Sequence, residues 1–239
     1  NLVSVILKIL IMINKNTYVR GHTKFTDKII HRKRLEIISI IKNELENKNL
    51  KDILDIGTTL DTNKSSNLII KSLKKFKIYK SISNQKIISN FFSKTLQKSI
   101  TKELSLNEID TFSSDVVISN ATIEHVGSYQ EQLKMVENIV KLSKKFFVIV
   151  TPNRMHPIEF HSNIPFIHWL PKKMHRKILS LIGLQYLSKE ENLNLLNTSN
   201  LIDMMKNFKN TDYSIMYVRF MLFKSNIILI GRNNEIYKK

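Results

Sequence analysis

Two short apolar runs with an amphipathic helix between them constrain this chain more than any other feature. The first, Val116-Val117-Ile118, stops at the small polar group Ser119-Asn120-Ala121-Thr122. The second, Phe146 to Val150, stops at Thr151-Pro152-Asn153. Between them Leu133, Val136, Ile139 and Val140 recur at the spacing of one helical face. Continuous apolar, β-branched runs joined through a helix read as a βαβ unit of a parallel sheet. In such sheets ligands bind outside the carboxyl ends of the strands. Both strand ends here carry hydrogen-bonding side chains, so the chemistry is expected there.

The flanking sequence extends the same pattern. From Thr26 or Asp27 a helix runs toward Asn47-Lys48-Asn49, with Ile29, Ile30, Leu35, Ile37, Ile38, Ile41 and Leu45 on its apolar face. Asp52 to Gly57 reads as a buried strand ending in a tight turn, followed by a polar loop to Ser66 and a helix over Asn67 to Lys75. Phe76 to Ile82 predicts a second strand, Gln85 to Ser93 a helix, Thr95 to Ile100 a third strand and Thr101 to Ser114 a loop. Beyond the central unit, Lys172 to Ile182 is helical behind Pro171 and stops at Gly183. Ser188-Lys189-Glu190-Glu191 has a capping-box pattern, and Ser199 is placed to cap a helix through Phe208. Tyr213 to Phe220 and Asn226 to Ile230 predict a closing antiparallel hairpin. The organisation expected is an N-terminal segment over residues 1–25, poorly ordered or truncated, and a single domain over 26–239. A substrate loop and helix occupy 153–196.

Composition removes several function classes. The chain has no cysteine, which excludes disulfides, thiolate metal sites and a cysteine nucleophile, and fits a reducing, cytoplasmic compartment. A formal charge of +18 raises the question of a polyanion partner. The lysines are scattered and not interleaved with aromatics, which favours a solvated basic surface with no continuous groove. Leu2 to Ile13 is apolar but short of the ~20 residues a spanning helix needs. It leaves peripheral membrane contact as the minority reading beside a packed segment.

Asp55-Ile56-Gly57 after a strand, Asp115 to Asn120 followed by Ile123-Glu124-His125-Val126, and Val150-Thr151-Pro152-Asn153 stand in a telling order. In that order they resemble the small-molecule, methyltransferase type 11-like branch of the class I S-adenosylmethionine-dependent methyltransferases. The resemblance covers roughly residues 51–232. It implies an α/β, Rossmann-like seven-stranded sheet in the order 3-2-1-4-5-7-6, with strand 7 antiparallel and helices on both faces. It further implies S-adenosyl-L-methionine as cofactor and methyl transfer as the reaction. No Asn/Asp-Pro-Pro-aromatic element follows strand 4, which favours a small-molecule, sugar- or lipid-linked hydroxyl acceptor over a nucleic-acid base. An RNA methyltransferase and a non-catalytic domain with a degenerate cofactor turn stay open as alternatives.

The resemblance assigns residues, with two departures. Asp55, Gly57, Thr59, Ser81, Asn120 and Thr122 fall on cofactor-binding positions. Thr59 and Asp61 stand where further turn glycines are usual, and Ser81 stands where an acidic residue would bind the ribose hydroxyls. On the acceptor side lie Glu124 and His125 and, in the loop Asn153 to Trp169, His156, Glu159, His161 and His168. All four prolines fall in or beside that loop and stiffen it. The expected catalytic set is His125, His156, Glu159 and His161, with His156 or His161 as proton acceptor and Glu159 orienting it. Each of these also has a structural reading as a packing, capping or loop-stabilising residue. No metal is expected, because His156, Glu159 and His161 lack the helical His-Glu-x-x-His spacing.

Overall fold

The computed structural model describes residues 24–61 and 65–234. The expectations for residues 1–23, including the apolar stretch Leu2 to Ile13, lie outside the described residues. Seven strands form one sheet in the order β3-β2-β1-β4-β5-β7-β6. They are β1 (Asp52–Ile56), β2 (Ile78–Ser83), β3 (Lys94–Gln97), β4 (Ser114–Asn120), β5 (Ser143–Pro152), β6 (Thr211–Phe220) and β7 (Phe223–Asn233). The first five run parallel, and β7 enters antiparallel between β5 and β6.

Helices cover both faces because successive side chains on each central strand point to opposite sides. Ile53, Val116, Ile118, Val148 and Ile228 face Ile37, Ile38, Ile41 and Leu45 of α1 (Lys24–Leu45) and Ile69 and Ile70 of α2 (Leu68–Ser72). Leu54, Val117, Phe147, Ile149 and Leu229 face the other way, toward α3 (Leu106–Phe112), α4 (Tyr129–Leu142) and α7 (Thr198–Met205). Gly231 exists for this packing. A Cβ there would sit 2.0 Å from the Phe147 ring. Between β5 and α7 the chain folds α5 (Lys172–Leu181) and α6 (Gln185–Ser188) around a separate small core of Leu179, Leu184, Leu187, Leu193 and Leu195.

Four local expectations are corrected. Gln85 to Ser93 forms turns, not a helix. Ser83 Oγ accepts from Gln85 N and Ser89 Oγ from Phe91 N, and such side-chain bonds compete with helical ones. The expected loop at 101–114 contains α3, started by a reciprocal capping box between Ser105 and Glu108. The Ser188 to Glu191 pattern begins no helix, since the Ser188 hydroxyl turns back to Gln185 O and ends α6. Asn197, not Ser199, caps α7, which stops at Met205. Among the described residues no helix is long and apolar enough to cross a membrane.

Candidate functional site

The carboxyl ends of β1, β4 and β5 meet at two hollows. The first, about 280 Å3, is lined by Gly57, Thr58 and Thr59 after β1, by Ser83, Asn84 and Gln85 at the end of β2, and by Thr122, His125 and Val126 after β4. The second, about 60 Å3, lies toward α1 between Lys33, Arg34, Asn120, Pro152 and Phe160. Ala121 lines both. Its φ of 53° is a left-handed conformation unusual for a residue with a Cβ, and it bends the chain off β4 into a 3-10 turn over Ile123–His125. A larger hollow, about 740 Å3, is lined by Lys42, Leu45, Ser72 and Lys75 at the amino ends of the strands. Open α/β sheets bind at the opposite end, so size does not mark the site here.

The first turn is shaped for close approach. Gly57 has φ +87°, and a Cβ there would lie 2.1 Å from Thr122 Oγ1. Behind it Asp55 is buried, and the Thr58 hydroxyl donates to its carboxylate at 2.5 Å. Burial raises the Asp55 carboxyl to about 6, against the downward pull of that hydrogen bond. Ser81 is fully buried, with its hydroxyl 2.7 Å from that of Thr58. The cavity is therefore lined by Ser83, Asn84 and Gln85, while Ser81 supports the turn from behind. Thr59 turns its hydroxyl to Asp61 N, and Asn120 opens to the second hollow, whereas Thr122 lines the first.

A carboxylate and two imidazoles converge beside this turn. Glu124 is fully buried. The Thr151 hydroxyl, at the end of β5, donates to its Oε2 at 3.0 Å, and its Oε1 has no hydrogen-bond partner. His125 donates from Nδ1 to Asn192 O at 2.7 Å, which leaves Nε2 3.9 Å from Glu124 Oε1. The His161 ring meets the His125 ring edge-on, with centroids 4.9 Å apart. Its Nδ1 donates to Glu159 Oε1 at 2.5 Å. Glu159 also accepts from the backbone amides of His161 and Ser162. Burial pushes Glu159 up, but the adjacent His161 imidazole and these hydrogen bonds outweigh it and hold the carboxyl at about 2.

His156 does not join them. It is buried with its ring stacked on Phe160 and Phe220, its Nδ1 2.9 Å from Ile158 O and its Nε2 3.3 Å from Phe220 O. Its place is in loop packing, since both nitrogens are spent on the backbone. His168, buried too, donates to His156 O and belongs to the same scaffold. Two contributors had no sequence signal: the Asn192 carbonyl that orients His125, and Gln132, which ties Ile123 O to Asn194 O. Each acts through a contact between residues more than 60 apart in sequence, which no local pattern encodes.

No family model and no curated protein matches the chain by sequence. Solved structures do match in shape. The magnesium protoporphyrin IX methyltransferase of Synechocystis PCC 6803 with bound SAH superposes with a TM-score of 0.54 over 98% of this chain and 95% of its own, at 9% identity. The N-methyltransferase NodS of Bradyrhizobium japonicum WM9, in complex with S-adenosyl-L-homocysteine, gives 0.54 over 97% and 98%, at 10% identity. The small RNA methyltransferase HEN1 gives 0.56 over 84% of this chain and 25% of its own, at 12% identity. This chain has the class I methyltransferase fold. The fold match agrees with the strand order and the antiparallel β7 described above.

The methyltransferase-fold chain fits an adenosyl ligand at its first turn in one respect and departs in another. Thr122 packs so closely on the turn at Gly57 that no Cβ fits there, and the cavity beside it is open to the end of β2. Neutral donors and acceptors, Ser83, Asn84 and Gln85, stand where a carboxylate would make stronger bonds to a ribose diol.

Proposed function

We propose that this protein transfers a methyl group from S-adenosyl-L-methionine to a hydroxyl of a small-molecule, sugar- or lipid-linked acceptor. The observation that carries the reading is the glycine cradle at the carboxyl end of β1, next to a buried carboxylate and two imidazoles, on a methyltransferase fold. When bound, the cofactor supplies an electrophilic methyl group on a sulfonium.

The chain's own residues do the rest. Gly57 and Thr59 offer backbone to the ligand, Thr122 bounds the cradle, and Asp55 and Ser81 fix the turn through Thr58. Asn120 opens to the adjoining hollow, on the acceptor side. Alignment of acceptor and methyl carbon is the main catalytic task in such a displacement. The acceptor's proton is drawn off at the cluster of Glu124, His125 and His161, with Glu159 as the positioning residue for His161. A neutral ribose site in place of a charged one weakens cofactor binding by ~5–10-fold, the difference between neutral and charge-assisted hydrogen bonds.

Calorimetric titration with S-adenosylmethionine and S-adenosylhomocysteine tests this reading. One-to-one binding is expected, and silence from both at millimolar concentration would leave a fold without the activity. RNA as acceptor is the second reading, favoured by the net charge of +18. It requires RNA affinity that falls steeply with salt, which filter binding between about 50 and 200 mM salt would expose.

A further inference from the structure

Glu124 and His125, neighbours in the 3-10 turn after β4, and His161, from the loop after β5, bring one ligand atom each to within 4.8 Å of the others. We propose that these three side chains form a site for a divalent transition cation. The proposal rests on the methyl-transfer reading only for what the ion would serve; its binding is a property of the three residues themselves.

Four observations carry it. Glu124 is fully buried, and its Oε1 has no partner although its Oε2 is bound by Thr151. A buried carboxylate oxygen left bare is costly unless a cation faces it. The 3.9 Å between Glu124 Oε1 and His125 Nε2 is too long for a hydrogen bond. Two atoms bound to one such ion, each ~2.0–2.2 Å from it, stand ~3–4 Å apart. Both imidazoles also have Nδ1 committed to an oxygen acceptor, Asn192 O for His125 and the Glu159 carboxylate for His161. That arrangement fixes the tautomer with Nε2 as the lone-pair nitrogen and is the usual outer support of a metal-bound histidine. Finally, the supports are themselves held: Glu159 by two backbone amides, and the Asn192 segment by the Asn194 amide bonded to Glu124 O.

The donor set selects the ion. Two imidazole nitrogens and one carboxylate oxygen suit manganese, iron, cobalt or zinc better than magnesium or calcium, which prefer oxygen alone. Three protein ligands leave coordination positions open, and His125 also lines the cavity at Gly57. With the ion bound, an acceptor hydroxyl at an open position would lose its proton more readily, to water in the adjoining cavity, and the cluster would then draw the proton off through the ion, with the imidazoles as its ligands. The rival account keeps the cluster closed by protons alone, with a charged His161 held between Glu159 and Glu124.

The test uses the full chain, stripped of metal, titrated with Co2+ and followed by visible absorption, then with Zn2+ in competition by calorimetry. One equivalent of Co2+ should bind and be displaced by Zn2+. Glu124→Gln and His161→Ala should each weaken Co2+ binding by at least ~100-fold. Glu159→Gln should weaken it by ~10–100-fold, as loss of an outer support does. His31→Ala, on α1, should leave it unchanged. A measurement on the unaltered protein guards against variants that fail to fold. Its Co2+ form should show two exchangeable, paramagnetically shifted proton signals, one from each Nδ1–H. Absence of Co2+ and Zn2+ binding at millimolar metal, in protein that binds S-adenosylhomocysteine, overturns the proposal and spares the methyl-transfer reading. Metal binding without any binding of the cofactor pair does the reverse. Binding that survives both Glu124→Gln and His161→Ala also overturns it.

Discussion

The two ends of the sheet handle buried charge differently. At the amino end, Asp52 bonds Lys80 at 3.0 Å and accepts from Asp115 N, while Lys80 also donates to Ser113 O. Asp115 accepts from Lys51 N and pairs with Lys145. For Asp52, burial pushes upward, but the Asp115 amide and Lys80 prevail and lower its carboxyl. Every acid there has a cation. At the carboxyl end, Asp55 has only a hydroxyl and is raised to about 6, and Glu124 keeps a bare oxygen. A buried network that closes on itself stabilises a fold, whereas unpaired capacity in a cleft marks a place that binds something.

The largest test of that contrast is to open the closed end. Lys80→Met leaves Asp52 buried without its cation and should cost about 3–5 kcal/mol of stability in urea unfolding. Affinity for S-adenosylhomocysteine should not change. If the substitution instead weakens the ligand selectively, the two ends are not separable.

Gly57→Ala attacks the other end. The added Cβ meets Thr122 at 2.1 Å, and φ +87° strains any side chain. Calorimetry should show S-adenosylhomocysteine binding weakened by ~100-fold, equivalent to about 2.8 kcal/mol. Unchanged affinity would move the ligand away from this turn.

Much of this contrast was legible in the sequence, and the missing part has a physical cause. The apolar runs at Val116 and Phe146 declared buried parallel strands because both faces of each are covered. Gly57 declared a tight turn because no other residue suits its φ. The site was less legible. His156 and His161 are five residues apart with similar neighbours, yet one stacks between phenylalanines and the other points at Glu124. That division is set by where Phe220 and the 3-10 turn lie in space, not by spacing. Along one segment His156, Glu159 and His161 show no metal-ligand spacing, whereas the cluster that converges in space draws two of its members from the turn after β4. Ser81 stood at the strand-two position that the resemblance gives to the ribose, but β2 continues two residues further to Ser83, and the Ser81 hydroxyl is taken up by that of Thr58.

A smaller effect distinguishes the ends by pH. Asp55 is raised in the folded chain to about 6 from 3.8. The folded state therefore holds a proton that the unfolded chain has released, and stability falls as pH rises from about 4 to 6. His175, depressed by burial to about 4, works in the opposite sense over nearly the same range. Only a difference curve separates them. Stability of Asp55→Asn relative to the unaltered protein should climb by about 2 kcal/mol between pH 4 and 6. A flat difference would place a cation or a proton partner beside Asp55.

The most direct measurement is a crystal structure grown with S-adenosylhomocysteine. The ligand should lie across Gly57, between the turn after β1 and Thr122, with its ribose at Ser83 to Gln85. Density instead in the basic hollow of Lys42 and Lys75, at the closed end of the sheet, would contradict the account.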